Sequence, residues 1–312
     1  MFKSKAIKIN GLRKIDNLDI SDQMVEIENQ IINSISKLLN KHSEYKKTND
    51  GVKVGDLVNL KLKSTNTKFN KENLPVVVGT GLFDKGFEEL LINFIPTKKY
   101  MINFNGDEIE VTITEIKRKI LPELTNDLIK LECIDKVVTV EDYKTNLFYT
   151  MVNEKAFEVA SEFLSKVREE SEFIISENDV NLLFEGDLSK MRFLSLEEGM
   201  VLEEMTDNEI GQRIGMPSLE KFEEVYKNER YPIMLKRALI GFFLASEDNF
   251  NLDESTYEQS FEFKDYYKNY SMSDRKKLLP FFNYLVYSYS AFAQEKITNL
   301  VKESFSYRNI LK

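Results

Sequence analysis

Apolar and β-branched residues alternate or cluster in three short segments in the first half of the chain. These segments are Leu57–Leu62, Val76–Val78 and Ile109–Ile116. They are separated by turn-forming residues, namely Asn66, Gly79-Thr80-Gly81 and Asn105-Gly106-Asp107. Short β-branched segments bounded by such turns are typical of strands. The pattern therefore predicts a small antiparallel sheet.

A different spacing occurs between the second and third of these strands. In the segment FDKGFEELLINF, apolar residues recur at helical intervals at Phe83, Phe87, Leu90 and Leu91. The segment therefore predicts one short helix. A curved sheet with this helix across its face would enclose an apolar pocket.

The remainder of the chain favours helices. Residues 1–20 carry isolated apolar positions and predict an extended arm, whereas Asp22–Lys46 has the apolar spacing of an amphipathic helix. After Thr125 the strand pattern ends. The helices predicted there are Val140–Glu169, Val180–Met205, Leu219–Tyr226, Ile233–Ala245, one that begins at Asp253 or Ser255 and continues to Tyr270, and one from Asp274 to Phe305, with Pro280 as an alternative start. The pattern favours an α+β fold divided at residues 1–50, 51–121 and 122–312.

Composition narrows the class of protein. The chain has 312 residues, is 42% hydrophobic and carries a net charge of −9. An acidic protein does not attract nucleic acid or anionic lipid at long range, so neither is expected as a partner. No apolar run approaches the roughly 20 residues of a membrane span. A single cysteine, Cys133, excludes an internal disulfide and fits a cytoplasmic protein.

Cofactor and metal chemistry is not indicated. His42 is the only histidine, and it lacks a nucleophile in a recognisable catalytic pattern. Gly79-Thr80-Gly81 lacks the rest of a phosphate-binding fingerprint and is interpreted as a turn. No His, Cys, Asp or Glu spacing matches a metal site. We therefore expect no cofactor.

Several motifs resemble one known family. They are Gly55-Asp56 before the first strand, Phe69 in the next loop, the run from Gly79-Thr80-Gly81 to Glu89, and Leu121-Pro122-Glu123-Leu124-Thr125. Together they resemble the FKBP-type prolyl isomerase domain in the version found in trigger factor, the bacterial nascent-chain chaperone. The resemblance covers nearly the whole chain. It implies an N-terminal arm and linker helix (1–50), an FKBP-like domain (51–121) and an elongated all-α chaperone domain with helical arms (122–312).

The N-terminal segment departs from the family pattern. Trigger factors carry a ribosome-binding domain with a basic docking loop, whereas only Gly11-Leu12-Arg13-Lys14 is similar to part of that domain here. The resemblance therefore implies a trigger factor without a ribosome anchor, so ribosome binding is not expected. Trigger factors can self-associate, which leaves a homodimer open.

The resemblance also assigns an isomerase-like pocket. Its residues are Phe69, Phe83, Asp84 through its backbone N–H, Phe87 and Ile109. Enzymes of this class lower the ~18–20 kcal/mol barrier of the peptide bond by binding the twisted peptide in an apolar, water-free site. Leu62, Leu74 and Ile109 stand where the family has aromatic rings, and the flap between the last two strands is missing. We therefore favour a structural or peptide-binding module, with an active prolyl isomerase as the alternative.

The C-terminal part is rich in aromatic residues. Slender helical arms have little interior to hide so many rings, and exposed apolar patches mark protein-binding sites. The residues predicted to bind polypeptide clients are Phe222, Tyr226, Phe242, Phe243, Phe261, Tyr266, Phe282 and Tyr287. The alternative is that the rings form a core. The sequence thus predicts an ATP-independent, ribosome-independent chaperone for unfolded or assembling polypeptides. A dedicated assembly or scaffolding chaperone for one partner remains a further alternative.

Overall fold

A computed structural model describes residues 2–262 and 265–305. The chain forms two compact units, each with its own core. The sheet unit contains residues 28–147, and the helical unit contains residues 1–27 and 148–312. These units group residues by packing. The division at 1–50, 51–121 and 122–312 rests on sequence pattern and stays a prediction.

The sheet unit is built on five antiparallel strands. They are β2 (Glu44–Thr48), β3 (Leu57–Ser64), β4 (Lys71–Val77), β5 (Lys99–Phe104) and β6 (Asp107–Ile120). The short helix α2 (Lys85–Leu90) lies between β4 and β5 in the chain. The three predicted strands and the predicted helix are confirmed. β2 and β5 are additional.

The long strand β6 organises this sheet. One edge of β6 pairs with β3 along its length, while β5 pairs with Asp107–Thr112 and β2 with Ile116–Ile120 on the other edge. The register against β3 shifts by one residue near Thr114, whose hydroxyl donates to the Asn59 carbonyl (3.0 Å). This bulge explains why the buried positions of β6 change from every second residue to a step of three, from Ile113 to Ile116.

The helix predicted over Asp22–Lys46 is too long. Helix α1 spans Ser21–Lys41, and the chain then enters β2, so residues 44–46 belong to the sheet. The β2 side chains are largely exposed, and the segment EYKKT lacks an apolar pattern of its own. Backbone pairing with the free edge of β6 determines its conformation. After β6, helix α3 (Asn126–Lys130) begins at the cap residue Thr125.

Helices form nearly all of the helical unit. In chain order they are α4 (Val140–Glu170), whose last 23 residues belong to this unit, α5 (Glu177–Glu197), α6 (Asp207–Ile214), α7 (Leu219–Val225), α8 (Tyr231–Glu247), α9 (Glu254–Ser260), α10 (Met272–Leu278) and α11 (Phe281–Ser304). Together with the antiparallel sheet, they confirm the predicted α+β class. Within the described part of the chain, no helix is long and apolar enough to cross a membrane.

Three of the predicted helices end earlier or are divided. The helix predicted to reach Met205 ends at Glu197, because Gly199 adopts a left-handed conformation (φ 74°). The helix predicted to reach Tyr270 ends at Ser260, and part of its remainder, residues 263 and 264, lies outside the described residues. The last helix is divided at Pro280, which separates α10 from α11, as the alternative start predicted.

Helix α11 forms the centre of the helical unit, and two glycines allow its close packing. A Cβ at Gly241 of α8 would overlap the carbonyl oxygen of Tyr289, and one at Gly186 of α5 would overlap the Asn283 side chain. The three helices α5, α8 and α11 can therefore approach one another more closely than larger residues would permit.

The N-terminal arm is docked on the helical unit by strand pairing and by hydrogen bonds. Strand β1 (Lys5–Lys8) pairs antiparallel with β7 (Glu172–Ile174). The backbone N–H groups of Lys3 and Ser4 donate to the Asp179 carboxylate at 2.9 and 2.6 Å, and the Ser176 N–H donates to the Ser4 hydroxyl at 2.9 Å. The arm predicted over residues 1–20 is therefore docked and is extended at Lys5–Lys8, whereas Leu12–Asn17 forms a 3-10 helix that the pattern did not predict.

Candidate functional site

In this structure the predicted isomerase-like pocket is an aromatic cluster around a buried ring. The ring of Phe87 contacts Phe83 (5.2 Å between centroids) and Phe104 (5.3 Å), and Phe104 contacts Phe69 (6.2 Å), all edge to face. Phe87 and Ile109 have no exposed area, whereas Phe83 is 42% exposed. The structure brings the residues assigned to the pocket together, but the ring at the floor of the pocket, Phe87, is covered by its neighbours.

Phe104 is a member of this cluster that the sequence motifs did not indicate. It ends β5, where Tyr100, Ile102 and Phe104 occupy every second position. This alternation is typical of a strand and could have revealed both β5 and the ring.

A buried carboxylate holds the loop that enters α2. Glu88 is fully buried, and its two oxygens accept hydrogen bonds from the backbone N–H groups of Gly79 (2.9 Å), Gly81 (2.8 Å) and Phe83 (3.0 Å). Burial raises the pKa of Glu88, but these N–H groups outweigh it, so the pKa lies below its usual value. The Asp84 N–H, which the resemblance assigns to substrate, also contributes to lowering the pKa of Glu88.

The side chain of Asp84 has a separate, structural role. Its Oδ1 accepts a hydrogen bond from the Phe87 N–H (3.0 Å) and caps α2. The loop from residue 79 to 84 is therefore held by Glu88 and by the helix cap. In this arrangement the backbone donors of the loop are used within the sheet unit.

The eight aromatic residues predicted to bind clients separate into core and surface. Phe222 and Phe261 are 2% and 0% exposed and belong to the core, where each packs against neighbouring rings. Phe242, Phe243 and Tyr266 are about half exposed, and Tyr226, Phe282 and Tyr287 are partly buried. Any surface built from this set must therefore leave out Phe222 and Phe261.

The arm contributes a ring to one group of these residues. Phe2 contacts Phe282 (5.6 Å), Phe242 (6.2 Å) and Tyr289 (6.2 Å), and Phe242 contacts Tyr289 (5.3 Å). An isolated aromatic residue near the N-terminus gives no sequence pattern that predicts this contact. The four rings form a continuous aromatic patch on α8 and α11.

A groove lies beside this patch, between the arm, α8 and α11. We call it the arm groove. It has a volume of about 600 Å³, and its apolar walls include Ile9, Leu12, Phe243, Ile297 and Leu300. Charged residues such as Arg13 and Glu247 also line it. Surfaces that combine apolar and charged side chains are typical of protein-binding sites.

Tyr226 and Tyr287 line a second cavity, of about 420 Å³, near α5 and α11. The Asp187 carboxylate accepts hydrogen bonds there from Tyr231 (2.8 Å), Tyr287 (2.7 Å) and Asn283 (3.0 Å). Burial and the adjacent carboxylate raise the pKa of both Tyr231 and Tyr287. Their hydroxyls therefore remain protonated and serve as fixed hydrogen-bond donors.

Tyr226 owes its position to a backbone irregularity. Residues 226–230 form a π-helical turn between α7 and α8. Pro232 follows this turn, lacks an N–H and would clash with the carbonyl four residues earlier in a regular helix. Such turns are common at functional sites.

Metal chemistry has no support from the described residues. Within 2–262 and 265–305, no group of three or more His, Cys, Asp or Glu side chains could hold a metal ion. His42 instead lies 2.5 Å from a Glu132 oxygen, and the Glu132 carboxylate also pairs with Lys41 (2.8 Å). Cys133 is exposed at the surface of the sheet unit.

Comparisons with known proteins bear on these sites. No protein-family model matches the chain. It is 23% identical over 278 residues to the trigger factor of Onion yellows phytoplasma (strain OY-M), which covers 79% of this chain and 60% of the relative. It is 27% identical over 165 residues to the trigger factor of Aster yellows witches'-broom phytoplasma (strain AYWB), which covers 46% and 38%.

The chain thus matches less than two thirds of the length of either relative. Among solved structures, it is similar to one described as "Promiscuous Substrate Recognition in Folding and Assembly Activities of the Trigger Factor Chaperone". That comparison has a TM-score of 0.33 and 19% identity, and covers 92% of this chain and 70% of the other. The sequence similarity to trigger factors confirms the resemblance that the motifs predicted: this chain is trigger factor-like.

Proposed function

We propose that this chain is an ATP-independent chaperone that binds apolar segments of unfolded or assembling polypeptides on its helical unit. The observation that carries the proposal is the arm groove with the half-exposed rings of Phe242 and Phe243 beside it. Apolar side chains left in contact with water cost free energy, which a bound apolar segment recovers. The similarity to trigger factors supports a polypeptide as the occupant.

Binding at this surface requires neither a nucleotide nor a ribosome. The aromatic rings accept varied side chains because they supply large contact areas with few rotatable bonds. An extended segment with spaced apolar side chains fits the groove, while its polar backbone lies near the charged residues of the lining. The sheet unit acts in this proposal as a folded module rather than as an isomerase, since the floor of its aromatic cluster is covered.

The test uses purified full-length protein and a chemically denatured client that aggregates on dilution. Phe243→Ser combined with Leu300→Ser removes two apolar walls of the arm groove, and we expect it to weaken suppression of light scattering several-fold. The matched control is Leu131→Ser, which removes an apolar side chain that is 65% exposed in the sheet unit. We expect the control to behave as the wild type.

The proposal fails if the groove variant suppresses aggregation as well as the wild type does. It also fails if the wild type shows no suppression in the absence of ribosomes and ATP. Co-purification from native cells separates the two kinds of chaperone: many unfolded clients support a general chaperone, and one stoichiometric partner supports a dedicated assembly chaperone.

A further inference from the structure

A third cavity in the helical unit is lined by a cation without a counter-ion. We call it the Arg237 cavity. It has a volume of about 600 Å³ and is bordered by Phe157 of α4, Arg237 of α8, and Ser290, Gln294, Thr298 and Lys302 of α11. Its lining thus combines two cationic side chains with hydroxyl and amide groups. Neither the client-binding proposal nor the aromatic cluster uses it.

Arg237 has few partners for a side chain in this position. The Nη2 group of Arg237 donates to the Gln294 Oε1, and its Nε atom is buried with no hydrogen-bond partner. Among residues 2–262 and 265–305, no carboxylate pairs with it, and a second cation, Arg168, lies close enough to act on it. Burial, followed by this neighbouring charge, lowers the pKa of Arg237.

A cation without a carboxylate partner does not stabilise the folded chain. Arg237 is partly buried, and partial desolvation of an arginine charge costs free energy when no carboxylate lies beside it. Gln294 cannot supply the missing charge, since it is a neutral amide. Its Oε1 also accepts from Ser161 (3.2 Å), and its Nε2 donates to the Phe157 carbonyl (3.1 Å). These bonds fix the amide in place, and among the described residues no carboxylate pairs with the guanidinium.

The geometry points to a carboxylate of the bound polypeptide as the missing partner of Arg237, which rests on the client-binding function proposed above. A guanidinium offers parallel N–H groups that match the two oxygens of a carboxylate. Lys302 adds a second positive charge, and Thr298, whose hydroxyl accepts from the Gln294 amide (3.3 Å), adds a hydroxyl group. Phe157, which is 55% exposed, provides an apolar contact for the residues beside the acidic one.

One acidic residue moderates the positive charge of this cavity. Glu295 is exposed and also lines the cavity. Its charge opposes those of Arg237 and Lys302, and the lining that results is still net positive and attracts an anion. The carboxylate can come from an Asp or Glu side chain of the client or from its C-terminus.

The experiment uses the full chain and four labelled peptides with the same apolar residues. They carry either Glu or Gln at one position and either a free or an amidated C-terminus, and binding is followed by fluorescence anisotropy at low salt. The carboxylate that Arg237 binds is either the Glu side chain or the free C-terminus. For that carboxylate, we expect the charged peptide to bind about tenfold more tightly than its neutral counterpart, as for a charge-assisted hydrogen bond. The Glu/Gln pair tests side chains, and the free/amidated pair tests the C-terminus.

The variants assign the effect to this cavity. The quantity compared is the affinity ratio of the charged to the neutral peptide. Arg237→Gln should reduce this ratio to about one, whereas Arg230→Gln, which removes an equal charge at an exposed position, should preserve it. Glu295→Gln should increase the ratio. Without ligand, Arg237→Gln should unfold at the same or a higher denaturant concentration than the wild type, because an unpaired cation has been removed.

A thermal measurement tests the anion site independently of clients. At constant ionic strength, acetate in place of chloride should raise the melting temperature of the wild type and leave that of Arg237→Gln unchanged. If peptides do not bind but acetate stabilises only the wild type, the carboxylate site stands and the proposed client binding fails.

The opposite results overturn the site. If the peptides bind with equal affinity whatever their charge, client binding stands and the Arg237 proposal fails. It also fails if acetate has no specific effect on the wild type, or if inorganic phosphate stabilises it more than acetate does.

Discussion

The two units use aromatic side chains in opposite ways. In the sheet unit, Phe87 is enclosed between α2 and the sheet, and its neighbours pack edge to face around it. In the helical unit, Phe242 and Phe243 are adjacent on α8 and both remain about 40% exposed. A helix laid across a sheet covers a ring from two sides, whereas adjacent positions on a helix point in different directions and cannot both face one core.

The difference shows that aromatic content alone does not identify a binding surface. Phe222 and Phe261 lie in the same part of the chain as Phe242 and Phe243, yet they are buried. Their neighbours include several helices, which close over them. What distinguishes a binding residue is the number of elements that cover it, and this depends on the packing of segments distant in sequence.

Phe87→Ala should have the largest effect and should act on stability. Removing a fully buried ring costs about 3–5 kcal/mol, through lost burial and the cavity left behind. Chemical denaturation followed by a probe in the sheet unit measures this loss. Aggregation suppression by the fraction that remains folded should stay close to that of the wild type.

The same residue distinguishes a structural module from an isomerase. In a proline-limited refolding assay, we expect no acceleration by the wild-type protein. Acceleration comparable to that of an active isomerase, abolished in a folded Phe87 variant such as Phe87→Leu, would contradict our interpretation of the aromatic cluster.

Glu88→Gln should have an intermediate effect, again confined to the stability of the sheet unit. Hydrogen bonds to a charged group contribute about 1.5–3 kcal/mol, and the amide can replace only part of them. Because the pKa of Glu88 is lowered on folding, its contribution is complete above the unfolded value of 4.5 and is lost as the pH falls through the folded value.

The pH dependence provides the check on Glu88. The difference in unfolding free energy between Glu88→Gln and the wild type should be largest near neutral pH and should shrink in acid. A difference that is independent of pH would mean that the charge of Glu88 has no role in holding the loop. Glu89→Gln is the matched control, because Glu89 is the exposed neighbour on the same helix.

Phe243→Ser should have the smallest effect on stability, although it is expected to weaken client binding. A half-exposed ring loses little burial on substitution, so we expect a change of about 1 kcal/mol or less. Thermal unfolding of the variant measures it. A loss as large as that of Phe87→Ala would show that Phe243 is a core residue, and the comparison between the two units would then fail.

Local sequence patterns determined much of the fold. The alternation in β3 and in the first half of β6 was sufficient for these strands, because one face of each is buried in the sheet core. Pro280, the alternative start predicted for the last helix, precedes α11 directly, since a proline acts through the backbone of its own segment. The motifs shared with trigger factors were sufficient by themselves to indicate the family resemblance, because they are short runs of adjacent residues.

Tertiary structure alone decided the features that depend on distant partners. The segment Glu44–Thr48 is a strand only because β6 offers it an unpaired edge. Phe2 becomes part of an aromatic patch only because β1 pairs with a strand more than 160 residues away. The Arg237 cavity and the burial of Phe222 result from how the helices cross. The local sequence around a residue does not indicate which helices will cover it.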